Sequence, residues 1–408
     1  MLSLEAERIQ GKTIKILATA QVLSGIGIAG TVAAGSLLVT SITNSETLAG
    51  LTQTSAVLGA AAMAIPLSRL TQKGGRRLGL SVGYISGAMG ALLAILGGVR
   101  ENLLFMLMGA FMLGAASAAG YQARFAATDL ATNQTRSRHL SFVVWGSTFG
   151  AVTGPNLMGP SGNIAELMGL PRLVGPYLIA LVTLTLGTIV IQVFLRPDPY
   201  LTAIHLKDDG KVRKKLLPAR AALKVIRQSP RALIGIVAIA IGHLAMVSVM
   251  VMTPVHMAHV DVTITVIGLV ISIHVAGMYA FSPIVGWLSD KYGHISVIRT
   301  GVTILIFATI VAGTAAADDA ISLGIGLFML GLGWSCTLIS GSALLSESVD
   351  RDIAPSAQGA SDLLMNLAGA GGGALAGVII GTLGYGWLCV FAALPVTFLG
   401  VWSFSKKL

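Results

Sequence analysis

Two charged residues, Arg124 and Asp362, stand inside long apolar stretches of this chain, where a charge has few uses. A carboxylate and a guanidinium in that setting can pair with each other, or bind a substrate and a proton. Two histidines, His243 and His274, stand near the middle of other apolar runs, and an imidazole can exchange a proton in the physiological range. Each can instead be a neutral packing residue held by a hydrogen bond. Methionines follow both. Met246 and Met250 come after His243, one helical turn apart, and Met278 comes one turn after His274. Thioether sulfur with imidazole nitrogen is a donor set suited to soft Cu(I), and no hard oxygen ligand stands beside it. The same methionines can equally fill a core or touch an organic solute. Gln21, Tyr121, Gln122 and Trp145 are the residues that an organic solute's cavity would use.

These residues need elements that hold them in an apolar solvent. Of 408 residues, 54% are hydrophobic and 11% charged, and the charges fall in short clusters. A hydrocarbon core ~30 Å thick takes about 20 apolar residues per helix. The pattern predicts an all-α membrane protein with twelve transmembrane helices, over 14–41, 46–69, 78–99, 103–131, 139–159, 172–195, 232–255, 265–288, 295–316, 320–345, 357–382 and 385–404. The first run reads as a retained helix, because no small-residue cleavage site follows it. An even number of spans puts both termini on one side. If that side is cytoplasmic, only Arg100 and Arg172 of the 27 Lys and Arg lie outside, the bias that the positive-inside rule requires. The expected setting is a bacterial-type inner membrane with both termini cytoplasmic.

The connection 196–231 carries ten basic residues against Asp198, Asp208 and Asp209. Its basic face suits a lipid surface, and it lacks aromatic residues suited to stacking on bases. Lipid is therefore an expected partner and nucleic acid is not; a monomer is expected. This linker divides the chain into a six-helix bundle over 1–195 and a second over 232–408. Cys336 and Cys389 lie inside spans and supply neither a disulfide framework nor a CxxC metal site.

The halves repeat at an offset of about 218 residues. Ser68-Arg69-Leu70-Thr71-Gln72-Lys73-Gly74-Gly75-Arg76-Arg77 corresponds to Gly286-Trp287-Leu288-Ser289-Asp290-Lys291-Tyr292-Gly293-His294, and Asp129 corresponds to Glu347. Glycines recur four apart at Gly146, Gly150 and Gly154 and at Gly369, Gly373 and Gly377, each trio on one helical face where a neighbour can approach closely. Matched halves with a site between them at mid-membrane suggest alternating access.

Over essentially its whole length the chain resembles the major facilitator superfamily. The loop from Gly286 to Gly293 looks like that family's motif A, with a degenerate first-half copy in which Gln72 replaces the aspartate. Gly150-Ala-Val-Thr-Gly154-Pro155 resembles the motif C of its drug/proton antiporters, although Asn156 to Gly159 depart from the pattern, and small residues there also serve plain packing. The resemblance implies two pseudo-symmetric six-helix bundles and a conformational latch at the motif A loops. Asp290, Lys291, Gly293, Arg76, Arg77, Asp129 and Glu347 would form it. Asp290 is expected near the N-terminal end of the eleventh span, where the helix dipole favours an anion. Arg76, Arg77 and Asp129 are expected to cluster in one half, and Lys291 with Glu347 in the other.

The methionine–histidine pattern is similar to that of the CcoA-like copper importers, a branch of the same superfamily. There an M-x-x-x-M on the seventh span precedes an H-x-x-x-M on the eighth. By that resemblance Met246, Met250, His274 and Met278 would handle metal, although members of that branch are also thought to move organic solutes such as riboflavin. The segment His256-Met257-Ala258-His259-Val260-Asp261, at the outer end of the seventh span, can gather cations or be a polar loop.

A secondary transporter of a small molecule or ion is the leading class, with His243, His274, Arg124, Asp362, Gln21 and Trp145 as substrate or proton residues. Three cargoes compete: an organic compound exported against protons, copper taken up, or an organic nutrient taken up. No G-x-x-x-x-G-K-[ST] motif offers direct ATP drive, and no cofactor is expected. An enzyme is not expected: no midplane carboxylate pair, no cysteine nucleophile with a nearby base and no haem-type histidine pair is present.

Overall fold

Hydrocarbon offers a backbone no hydrogen-bond partners, so an apolar run satisfies its amides within itself and becomes a helix. A computed structural model describes residues 4–44, 48, 50–206, 224, 226–258, 260 and 262–405. No strand occurs among them. The first half contains α1 (Leu4–Thr43), α2 (Leu51–Val99), α3 (Leu103–Ala126), α4 (Arg136–Asn156), α5 (Met158–Leu167), α6 (Gly175–Phe194) and the short α7 (Pro199–His205). The second contains α8 (Pro230–Ala258), α9 (Ile264–Val275), a π-helical turn (Ala276–Ala280), α10 (Ser282–Tyr292), α11 (His294–Thr314), α12 (Ala320–Ser348), α13 (Ala354–Leu383) and α14 (Tyr385–Ser405).

Among the described residues ten helical stretches are long and apolar enough to cross a bilayer. One of them, α2, runs for 49 residues and is broken at Gly75, so it crosses twice. The remaining crossing is α4 continued by α5, whose first turn is polar because it carries Arg136, Arg138 and His139. The twelve-helix fold is that of the expected class. Side chains start several helices. The Asn102 side chain accepts the Phe105 N–H at 3.1 Å, and Asp319 accepts the Ser322 N–H at 3.0 Å.

Some expected boundaries move. The fourth span ends at Ala126 instead of 131, since residues 127–131 turn and carry Asp129 beneath Arg76. The fifth span does not continue unbroken to 159; it breaks at Leu157 and resumes at Met158. The eighth is interrupted by the π turn. His259, Asp261 and half of the basic linker, 207–223 and 225, lie outside the described residues.

The helices gather into two compact units. One holds the described residues of Met1–Thr132, Phe142–Ala222 and Arg351–Leu363; the other holds those of Asn133–Ser141, Leu223–Asp350 and Leu364–Leu408. The first turns of α4 thus pack with the second half of the sequence, and the first turns of α13 with the first. The glycine ladder of α4 lies on α1. A methyl group added at Gly150 would run into the backbone of Gly25, which is the close approach its spacing allows. In the other unit Gly369, Gly373 and Gly377 of α13 face His243, Val247 and Met252 of α8.

The repeat is visible in the backbone. Gly75 has φ 86° and ψ 177°, and Gly293, 218 positions on, has φ 88° and ψ 146°. Side chains rarely adopt such angles, and holding one there costs about 1–3 kcal/mol. At Gly75 a methyl group would also strike the Asp198 carboxylate, whereas Gly293 has open space around it. Gly75→Ala is therefore expected to lower the thermal midpoint of the purified protein more than Gly293→Ala does. Equal midpoints in differential scanning measurements would contradict this account of the loop.

Candidate functional site

In the first unit the buried charges meet. Arg124, at the end of α3, and Asp362, on α13, form an ion pair at 2.7 Å with side chains 2% and 0% exposed. The guanidinium also donates to the Tyr121 carbonyl at 3.0 Å and lies 4.6 Å from the centre of the Phe125 ring and 5.6 Å from that of Tyr121. A buried charge needs this density of partners to repay its dehydration. Beside it, Gln21 on α1 donates to the Ser147 hydroxyl of α4 at 2.9 Å and abuts Gly120 of α3. Its carbonyl oxygen is buried and has no hydrogen-bond partner among the described residues. Gln122 is engaged otherwise, donating to the Ala64 carbonyl at 2.9 Å. Trp145 is 37% exposed and meets Phe149 edge-on at 5.1 Å. Tyr121, Arg124 and Asp362 are thus brought together, with Gln21 against Gly120 one helical turn before Arg124, while Trp145 belongs to an exposed aromatic pair.

In the second unit His243 and His274 are both buried, and they play opposite hydrogen-bonding parts. His243 Nδ1 accepts the Trp334 indole N–H at 3.1 Å. His274 Nδ1 lies 2.7 Å from the Leu327 carbonyl, to which it donates, and its Nε2 has no hydrogen-bond partner among the described residues. Met246 and Met278 are buried, and Met250 is half-buried. The helices that carry the two methionine–histidine pairs, α8 and α9, each pack mainly on α12 and hardly on each other.

The loop charges form two matched clusters. Arg76 holds Asp129 through two bonds of 2.7 and 2.8 Å and donates to the Gln358 side chain at 2.8 Å. Burial pushes the Asp129 carboxyl above its usual range, against the pull of Arg76. At the 218-residue offset His294 takes the place of Arg76. It lies 3.2 Å from Glu347, which also faces Arg231 at 3.7 Å. Two expectations are corrected here. Lys291 does not join Glu347; it is exposed and lies over the Trp287 and Tyr292 rings at 4.6 and 5.1 Å. Asp290 does not cap the eleventh span. It accepts the Ser137 and Arg138 N–H groups, at 2.8 and 2.9 Å, in the first turn of α4, which is the fifth span. The dipole argument is sound and the helix is a different one. The neutral Gln72 takes the matching position against Ser356, in the first turn of α13.

Arg77 does not enter the Arg76–Asp129 cluster by its side chain; its backbone N–H goes to Asp198 at 2.8 Å. Asp198 also accepts the Tyr200 and Leu201 N–H groups, both at 3.1 Å, as the cap of α7. Arg351 donates to the Ala203 carbonyl of α7 at 3.1 Å. Sequence reading missed Asp198, although an Asp directly before Pro199 is a helix-start signal. It also missed Trp334, Gln358 and His294.

The family model described as Major Facilitator Superfamily matches residues 17–261 and 244–407. An uncharacterised MFS-type transporter of Bacillus subtilis, YddS, is 33% identical over 97% of this chain and 91% of its own length. The riboflavin transporter RfnT of Brucella anthropi is 26% identical over 87% of this chain and 85% of its own. Among solved structures, the E. coli fucose:proton symporter FucP aligns over 97% of this chain and 98% of its own with a TM-score of 0.71 at 16% identity, a likeness of fold.

Because Arg124 and Asp362 neutralise each other, removing one strands the other. Asp362→Ala or Arg124→Ala alone is expected to cost about 3–5 kcal/mol of stability, and the double variant clearly less than the two single losses added. Additive losses in thermal unfolding would show that the pair is not a unit.

Proposed function

The chain belongs to the major facilitator superfamily, and from that premise we propose that it is a proton-coupled carrier of a small organic solute that works by alternating access. The observation that carries the coupling is the Arg124–Asp362 pair, two charges with almost no exposure inside spanning helices. Ionisable groups at such depth are retained where they do work. In this reading a proton neutralises Asp362, Arg124 loses its partner, and the freed guanidinium turns to cargo held near Gln21. Trp145 offers an aromatic surface to the same solute. The setting is a bacterial inner membrane with both termini in the cytoplasm, and the carrier acts as a monomer.

Planar heteroaromatic nutrients of the riboflavin kind are the first cargo to test, since a relative that shares most of this chain's length carries riboflavin. The α4 glycine ladder gives export no support of its own, because packing on α1 accounts for it. Copper is the second cargo, favoured by one observation: the buried His274 Nε2 keeps its lone pair, with buried Met278 one turn away.

The gate in this proposal is the pair of clusters at the inner loops. Asp290, with Lys291 and Gly293 in its loop, holds the first turn of α4. Arg76, Arg77, Asp129 and Glu347 brace the matched elements. These contacts are made in one state and undone in the other, so each biases the balance between states.

Reconstituted proteoliposomes test this. With an imposed pH gradient, the native chain is expected to accumulate radiolabelled riboflavin and to leave Cu(I) where it was added. Asp362→Asn is expected to abolish accumulation while keeping solute exchange at equal concentrations. Gradient-driven accumulation by Asp362→Asn at the native level would refute the coupling role, and Cu(I) uptake without riboflavin uptake would replace the organic cargo. Asp290→Asn, at equal expression, is expected to slow transport about tenfold, a change of about 1.4 kcal/mol in the balance of states. An unchanged rate would remove the latch.

A further inference from the structure

His243 sits in a place that a proton would disturb. It lies on α8 at 9% exposure, and its Nδ1 accepts the Trp334 indole N–H at 3.1 Å. An indole nitrogen only donates. The bond therefore exists only while Nδ1 is an acceptor, which puts the ring's single hydrogen on Nε2. Protonation makes both ring nitrogens donors and sets two N–H groups against each other. Either the imidazole turns or Trp334 withdraws.

The surroundings decide between these. A methyl group at Gly369, on α13, would lie 2.7 and 2.8 Å from His243 Cδ2 and Nε2, so the backbone of α13 stands against that edge of the ring and leaves it little room to turn. Trp334 is 2% exposed and also meets the Tyr279 ring edge-on at 5.7 Å. Tyr279 lies in the π-helical turn Ala276–Ala280, a local departure from regular helix of the kind that clusters at functional places. A displaced Trp334 presses directly on that turn.

Among the described residues of α8 and α12 the charges lie far from this contact along the helix axes. On α8 the preceding charge is Arg231, about 18 Å along the helix, and the following titratable group is His256, about 20 Å away. On α12, Glu347 and Asp319 are about 20 and 22 Å from Trp334 along the axis. On α13, Asp362 is seven positions before Gly369. Tyr279 touches Trp334 itself, Cys336 is two positions from Trp334 on α12, and His274 is five positions before Tyr279; α14 and α11, which also pack on α8, carry Tyr385, Cys389 and Arg299. His274 differs in kind: its Nδ1 donates to Leu327 and its Nε2 is bare, so a proton there breaks no bond.

We infer that His243 is a proton-binding site whose occupation is mutually exclusive with the Trp334 hydrogen bond, so that protonation releases Trp334 against Tyr279 and the π turn. The proton adds to the Nδ1 lone pair, the N–H···N bond breaks, and the indole N–H is freed for an acceptor group. An acceptor-bearing solute is one such group. This deepens the carrier reading, and its test needs no cargo, so it can fail while that reading stands.

The test is nuclear magnetic resonance of the full chain in lipid nanodiscs, with the indole nitrogens of its five tryptophans labelled. Trp334→Phe identifies the relevant signal. Between pH 8 and pH 5 that signal is expected to move along a one-proton curve, to stay still in His243→Gln, and to move as before in His274→Gln. The other four signals report that each variant is folded. Labelled imidazole nitrogens of the unsubstituted chain give a check without a variant: one histidine Nδ1 must change from acceptor to protonated in the same transition. A Trp334 signal that stays fixed across this range, one that still moves in folded His243→Gln, or one that moves with no matching Nδ1 transition would overturn the inference.

Discussion

In hydrocarbon, a buried charge survives only where a partner neutralises it at close range, and the first unit of this protein is arranged around one such case. Arg124 and Asp362 stand 2.7 Å apart with almost no exposure. The Tyr121 carbonyl and two ring faces add to the guanidinium's contacts. The pair also ties α3 to α13, the helix whose first turns belong to this unit and whose remainder belongs to the other. The loop clusters have the same character. Asp290 holds the first turn of α4, and Arg76 holds Asp129 and Gln358.

The two units solve one packing problem twice, with different chemistry. Gly75 and Gly293 share a positive φ, 86° and 88°, with extended ψ. Around them Arg76–Asp129 becomes His294–Glu347, and the Asp290 carboxylate becomes the Gln72 amide. The first half lacks the carboxylate at its loop, and Asp198 brings one from the start of α7, to the N–H of Arg77. A guanidinium–carboxylate pair keeps its charge over a wide pH range, whereas a histidine–carboxylate pair does not. The second unit has histidines both in the loop cluster, at His294, and in the interior, at His243 and His274.

Much of this was legible in the residues. Apolar run length gave the twelve crossings, and the break at Gly74-Gly75 was marked by the charges beside it. Arg124 and Asp362 were identifiable because a charge in an apolar run stands out. The partner helix of Asp290 was not legible. The first turns of α4 and α13 have the same place in the repeat, so the pattern says that a loop meets such a helix and leaves open which one. Charge alone suggests Lys291 for Glu347, whereas the 218-residue offset aligns Arg76 with His294 and points to the observed pair. The Trp334–His243 bond depends on how two helices are rotated against each other, which hydropathy does not encode.

The account rests on Asp362 taking up and giving back a proton inside the membrane. Difference infrared spectroscopy of the reconstituted chain reads this directly, through the carbonyl band of a protonated carboxylic acid that appears as pH is lowered. The account predicts a band that reverses with pH and is missing from Asp362→Asn. An Asp362→Asn spectrum that keeps the whole band, or a native chain that shows none, would contradict it.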